Sequence, residues 1–221
     1  MARRKAAPSS IIGLGVAAGL AVLMACQAES VDKSGRGVHL SEWKEIPVAE
    51  VDLTFPLLVP ARVTRAEYRN RDNQINQHRL EFDGGKGTLA TEYFPTAWFA
   101  DATERRMADI ETFKAALAKR FEKEFAEVGE IREIRHSRRK AVGFVADVKI
   151  QNPGRGRCVA AAVAYRLKNR SGHGNDPGNV DTVATLFYCD DGGKVPDFSR
   201  ALENVDVVVD RHAFAAALAA K

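Results

Sequence analysis

Apolar and polar residues alternate with a period of two over most of this chain, and with a helical period in one long stretch. Val142, Phe144, Ala146, Val148 and Ile150 alternate strictly. So do Val159, Ala161, Val163, Tyr165 and Leu167, and then Val183, Thr185, Phe187 and Cys189. This is the pattern of half-buried strands. Arg62–Tyr68 and Ile131–Arg135 also read as strands, and Val51–Pro60, with two prolines, reads as an edge strand or extended lead-in. Leu80 and Phe82 run into Asp83-Gly84-Gly85-Lys86, and Leu89, Thr91 and Tyr93 follow. A Gly-Gly loop permits the positive φ of a tight hairpin and predicts Leu80 opposite Leu89.

Between about Asp101 and Val128 the apolar positions are Met107, Ile110, Phe113, Leu117, Phe121, Phe125 and Val128, in steps of three and four. The spacing predicts one long helix, capped by Asp101 with Glu104 in capping-box position and ended by Gly129. A short helix is expected near Ser199–Glu203 and a last strand at Val205–Val209. An Ala-rich helix capped by Asp210 should then reach Ala220. The order predicts an α+β fold: a single antiparallel β-sheet with one long helix and a short C-terminal helix packed on it. It is similar in element order, over roughly residues 50–210, to Mog1/PsbP-like domains, which implies an accessory or assembly role.

The amino end has another character. Arg3, Arg4 and Lys5 precede an apolar stretch from Ile11, and Leu23-Met24-Ala25-Cys26 closes it. A charged head, an apolar middle and a small-residue cut site form an export signal. The last four residues resemble a bacterial lipobox, although Met24 stands where Ala, Ser, Thr or Val is usual. The resemblance implies cleavage before Cys26, a diacylglyceryl group on its thiol, and fatty acyl chains such as palmitate as the membrane anchor. Gln27 replaces the Asp that retains enteric lipoproteins in the inner membrane, which favours the outer one. Cleavage after Ala28, with no lipid, is the alternative. A spanning helix is disfavoured, because Ile11–Ala25 is 15 residues against about 20 for a bilayer. Domain organisation is then a signal at 1–25, a lipidated tether at 26–48 with Trp43 as a docking residue, and one domain at 49–221.

Removing the signal changes the charge picture. Without residues 1–25, 30 basic residues face 29 acidic ones. The sequence pI near 9.0 therefore owes much to the signal, and nucleic acid is not an expected partner. Export also changes the cysteine reading. In an oxidising compartment Cys158 and Cys189 are expected to pair. A hairpin over the polar loop 168–179 that sets Leu167 opposite Val180 also sets Cys158 opposite Cys189.

Catalytic motifs do not emerge. His39, His78, His136, His173 and His212 have no metal-ligand spacing, no serine lies in GxSxG, and Gly84-Gly85-Lys86-Gly87 lacks phosphate-loop spacing. No catalytic, metal or cofactor site is expected. Candidate interaction residues are the basic cluster Arg135, Arg138, Arg139 and Lys140, and Tyr93 and Trp98 in the strip Tyr93–Phe99. The leading expectation is a membrane-anchored periplasmic module that binds an envelope protein or anionic lipid. Two others remain open: a binder of a lipid or small amphiphile between sheet and long helix, and a hydrolase using His78, His136 or His173.

Overall fold

The alternating segments assemble into one eight-stranded antiparallel sheet. The computed structural model describes residues 40–55, 63–96, 98–122, 126–150, 156–168, 180–190 and 197–208. The signal, Cys26, His39, His173, His212 and the expected helix at 210–220 lie outside these residues. The strands are β1 (Lys44–Glu45), β2 (Leu53–Thr54), β3 (Val63–Arg71), β4 (Ile75–Phe82), β5 (Gly87–Tyr93), β6 (Ala126–Glu133), β7 (Lys140–Ile150), β8 (Arg157–Arg166), β9 (Thr182–Asp190) and β10 (Asp206–Val207). The helices are α1 (Asp101–Ala108), α2 (Ile110–Arg120) and α3 (Phe198–Leu202). The large sheet runs β1-β3-β4-β5-β9-β8-β7-β6, and β2 and β10 form a separate ribbon. The chain folds β3 to β5 as a meander, crosses through α1 and α2 to the far edge, and returns through β6 to β9.

Local turn chemistry sets the registers. Asp83, Gly84 and Gly85 have φ of 48°, 66° and 96°, and Leu80 stands opposite Leu89 as expected. A second hairpin was equally readable: Asp72 and Asn73 both sit at φ 55°, a conformation their short polar side chains tolerate. Cys158 pairs with Cys189 across β8 and β9, and the two form a disulfide.

The long helix is corrected to two helices and a strand. At Asp109 the backbone is extended (φ −90°, ψ 108°). Its carboxylate accepts hydrogen bonds from the Glu111 N–H at 3.1 Å and the Thr112 hydroxyl at 2.6 Å. An aspartate that caps in this way ends one helix and starts the next. These bonds hold the Asp109 carboxyl below the usual aspartate range, the Thr112 hydroxyl first and the Glu111 amide next. Because the folded-state pKa is depressed, its stabilisation is complete above the unfolded pKa and is lost as pH falls through the folded one. Asp109→Asn is expected to flatten that acid limb in circular-dichroism melts. An unchanged limb would show that the cap carries no linked stability.

Farther on, Val128 and Ile131 belong to β6 and face Val148 and Ala146 of β7. Gly129 sits at a bulge there and is not a helix end. Residues before position 49 also join the large sheet. Leu40 bridges to Arg71, and Lys44 and Glu45 pair with Tyr68 and Glu67.

The two sheet faces are covered differently. On one, here called the ribbon face, Phe82, Leu89, Tyr165, Leu186 and Tyr188 pack under β2, β10 and α3, which contribute Leu53, Val205, Phe198 and Leu202. On the helix face, Phe113, Leu117 and Phe121 of α2 pack on Phe144, Ala146, Val148, Ala160 and the disulfide. Both helices lie over β7 or β8. Met107 of α1 shares a buried cluster with Ile75 at the end of β4, and the rest of the β3–β4–β5 half of this face carries mainly polar and charged side chains.

Candidate functional site

The β3–β4–β5 half of the helix face is built by alternation, with Ile75, Gln77 and Glu92 buried in it. Arg65, Glu67, Arg69 and Arg71 on β3 share it with Gln77, Arg79 and Glu81 on β4, and with Thr88, Ala90 and Glu92 on β5. Charged side chains stand where the other half carries an apolar core. They are tied together: Arg69 Nε donates to Gln77, Gln77 Nε2 donates to Glu92, and Arg71 Nη1 reaches Glu92 at 3.5 Å. Arg79 Nη1 stands 3.5 Å from Glu67. Trp43, carried in by the chain that forms β1, lies against two guanidinium groups, with Arg69 Cζ 4.4 Å and Arg79 Cζ 4.6 Å from its ring centroid. Stacking of this kind fixes arginines in place while leaving N–H edges available. Burial, followed by the Arg79 charge, lowers the Arg69 pKa. Glu92 opposes the shift and Arg71 adds to it.

A row of paired residues on this face leads from Arg79 toward the helices. Arg79 faces Ala90, Ala90 faces Thr185, and Thr185 faces Ala162 across adjacent strands. At the helix end Thr185 and Ala162 line a cavity of about 30 Å³ with Arg106, Met107, Thr112, Phe113 and Ala116. That is room for about one water or methyl group. Alongside, Arg120 Cζ lies 4.2 Å above the ring of Phe187. Two guanidinium Nε atoms, those of Arg79 and Arg106, are buried with no hydrogen-bond partner among the described residues.

The residues singled out from sequence do not form one surface. Lys140 reaches Glu104 on α1, whereas Arg138 Nη2 bonds Asp206 on β10 at 3.1 Å. Arg135 is extended toward solvent, 3.7 Å from Glu133, and Arg139 is half-buried. Tyr93 is buried at 8 % exposure and belongs to the ribbon face, opposite Asn76, which corrects its expected surface role. Burial pushes its hydroxyl up to about 12, with Asp181 and Asp52 adding to the shift. Trp98 is instead flanked by Lys168 Nζ at 4.5 Å and Arg166 Cζ at 5.4 Å. The strip splits because strand alternation ends at Tyr93.

The two described histidines, His78 and His136, make structural contacts. His136 Nε2 donates to the Val205 carbonyl at 2.6 Å, and Nδ1 accepts the Arg138 and Arg139 amides. This bonding assigns the proton to Nε2. His78, 1 % exposed, lies 3.8 Å from Asp52. The same Asp52 carboxylate accepts from Asn76 at 2.7 Å, and Asn76 accepts from Tyr68 and Asn70. This buried polar clasp holds the start of the ribbon to β4. Among the described residues, no group of three or more His, Cys, Asp or Glu side chains could hold a metal ion.

The arginine face was missed in the sequence reading although part of its signal is present. Arg65, Glu67, Arg69 and Arg71 repeat with period two, the mark of a strand face that is not fully buried. Arg106 has no such signal, because only the packing of α1 on the sheet brings it to the cavity. No protein-family model, curated protein or solved structure matches this chain.

Proposed function

We propose that this chain is a lipid-anchored protein of the bacterial cell envelope, facing the periplasm and favouring the outer membrane. In this reading its domain is a non-enzymatic module that holds an envelope partner. The Cys26 lipobox supplies the anchor, and an accessory role is what the Mog1/PsbP-like element order implies. The disulfide between Cys158 and Cys189 suits an oxidising compartment. The observation that carries the binding role is the β3–β4–β5 half of the helix face, where a bonded arginine network and Trp43 occupy the place of a covered core. Aromatic and arginine side chains held in position are what interface hot spots are made of.

Two measurements test this. Intact mass of the membrane-extracted protein should start at Cys26 with acyl additions, and Cys26→Ser should move the protein to the soluble fraction. An unacylated mass starting near Glu29 would remove the anchor. For the binding role, a photo-cross-linking residue at Thr88 should give a reproducible partner adduct in cells, while one at Glu127 on the opposite sheet edge should not. Adducts from Glu127 alone, or from neither position, would overturn the proposed surface.

A further inference from the structure

Resting on the lipid-anchored reading, we infer that one end of the large sheet, carrying Trp98, Lys168 and Arg135, docks on the anionic bilayer surface that holds the anchor. The topology gathers this end. Arg71 closes β3 opposite Ile75, which opens β4. Asn76 stands opposite Tyr93, Tyr93 opposite Thr182, and Thr182 opposite Tyr165. Arg166 faces Lys140, which opens β7. The turn at Asp72 and Asn73, the chain after Tyr93, the loop 134–139 and Lys168 therefore all leave the sheet at the same end. Leu40, bridged to Arg71, shows that the chain from Cys26 enters the domain at this end too.

The side chains here suit a headgroup layer. Among the described residues, the loops of this end carry Arg135, Arg138, Arg139 and Lys168 against Asp72 and Asp181, and Asp181 is fully buried. At the opposite end the described loops carry Lys86 against Asp83 and Glu122. Arg138 bonds Asp206, whereas the Arg135 side chain is 87 % exposed although Glu133 lies 3.7 Å away. Asp101 and Glu104 open α1 nearby, and Lys140 takes up Glu104. Trp98 is partly exposed, beside exposed Pro95 and Thr96, with Lys168 Nζ 4.5 Å from its ring. An indole flanked by cations places its ring at the acyl boundary and its charges on phosphates. Burial lowers the Lys168 pKa against the opposing Asp181 charge, and a phosphate would restore the charged form.

The anchor reaches this surface. Cys26 precedes Leu40 by 14 residues, at most about 50 Å of chain. Arg71 and Arg166 are four strand spacings apart, about 19 Å. The opposite end of the sheet is a strand length, about 25 Å, farther from the entry point. Docked in this way, the strands stand up from the membrane. The arginine face then looks along the bilayer and stays open to the protein partner proposed above.

The chain has two tryptophans, so Trp43→Phe leaves Trp98, and Trp98→Phe leaves Trp43, as a single reporter. The full-length lipoprotein with either change is reconstituted into phosphatidylcholine vesicles with and without phosphatidylglycerol. Lipids brominated near the top of the acyl chain serve as quenchers. Trp98 should be quenched when phosphatidylglycerol is present, and Trp43 should not. Salt at about 0.5 M, or Arg135→Gln with Lys168→Gln, should cut that quenching at least about twofold with unchanged circular dichroism. Lys86→Gln should not. Vesicle-bound protein with Trp98 unquenched, with both tryptophans quenched equally, or with quenching indifferent to phosphatidylglycerol would overturn the docking and keep the anchor. A photo-cross-linking residue at Thr96 that captures protein and no lipid in cells would do the same. Protein that fails to float with the vesicles removes the anchor, and the docking with it.

Discussion

Gly143→Ala is expected to lower the melting temperature by on the order of 10 °C, the largest effect of any single methyl group considered. Gly143 lies inside β7 opposite Val163 with φ of +152°. A Cβ there would stand 2.2 Å from the Ala162 carbonyl oxygen and 2.6 Å from Val163 Cα. Both are backbone atoms of the neighbouring strand, so no rotamer change relieves the contact. The positive φ adds about 1–2 kcal/mol for any L side chain, and forced strand separation adds about 1–3 kcal/mol more. A total of about 2–5 kcal/mol corresponds to that shift for a domain of this size. Gly129→Ala is the control. Its new Cβ would meet the Asp147 carbonyl oxygen at 3.2 Å in an exposed edge strand, so the cost should be much smaller. Equal melting temperatures for the two variants would show that β7 and β8 can part freely at Gly143.

The second large effect concerns the disulfide. Cys158 and Cys189 are 31 residues apart in sequence. Closing a loop of that length restricts the unfolded chain by about 3–4 kcal/mol in the chain-entropy treatment. Both sulfurs also lie in the core beneath α2, with Phe113, Leu117 and Phe121. A Cys158→Ala/Cys189→Ala pair loses the cross-link and part of that packing. Urea unfolding of the pair is therefore expected to show about 3–5 kcal/mol less stability than the oxidised protein, with reduction alone near the lower figure. A loss below about 1 kcal/mol would mean that the denatured chain already keeps the β8–β9 hairpin, so the bond restrains little. Under the proposed periplasmic location, the domain would gain this stability only after export.

Errors in the sequence reading share a cause. Strand alternation at Val142–Ile150 and Val159–Leu167 was readable because each strand has a buried partner on at least one face. The hairpin at Asp83–Lys86 and the pairing of Cys158 with Cys189 were readable because turn chemistry acts within a few residues. The apolar series from Met107 to Val128 misled because three- and four-residue steps continue through a break. One carboxylate, Asp109, decides that break, and its role depends on donors two and three residues ahead. The hairpin at Asp72–Asn73 carried a signal of the same local kind and went unread.

The sequence by itself determined the strand periods, the tight-turn registers and the cysteine register, because each rests on φ preferences or on a period of two within one hairpin. The basic, apolar and cysteine-ended start carries the export expectation in the same local way. Tertiary structure alone decided that β9 lies beside β5, that β6 is the far edge, and that α1 and α2 cover one half of a face and leave the other to arginines. Those outcomes follow from which buried surfaces fit together across long stretches of chain. Such a competition leaves no mark at any one position, so Arg106 comes to line a cavity with Ala162 and Thr185 without a motif to announce it.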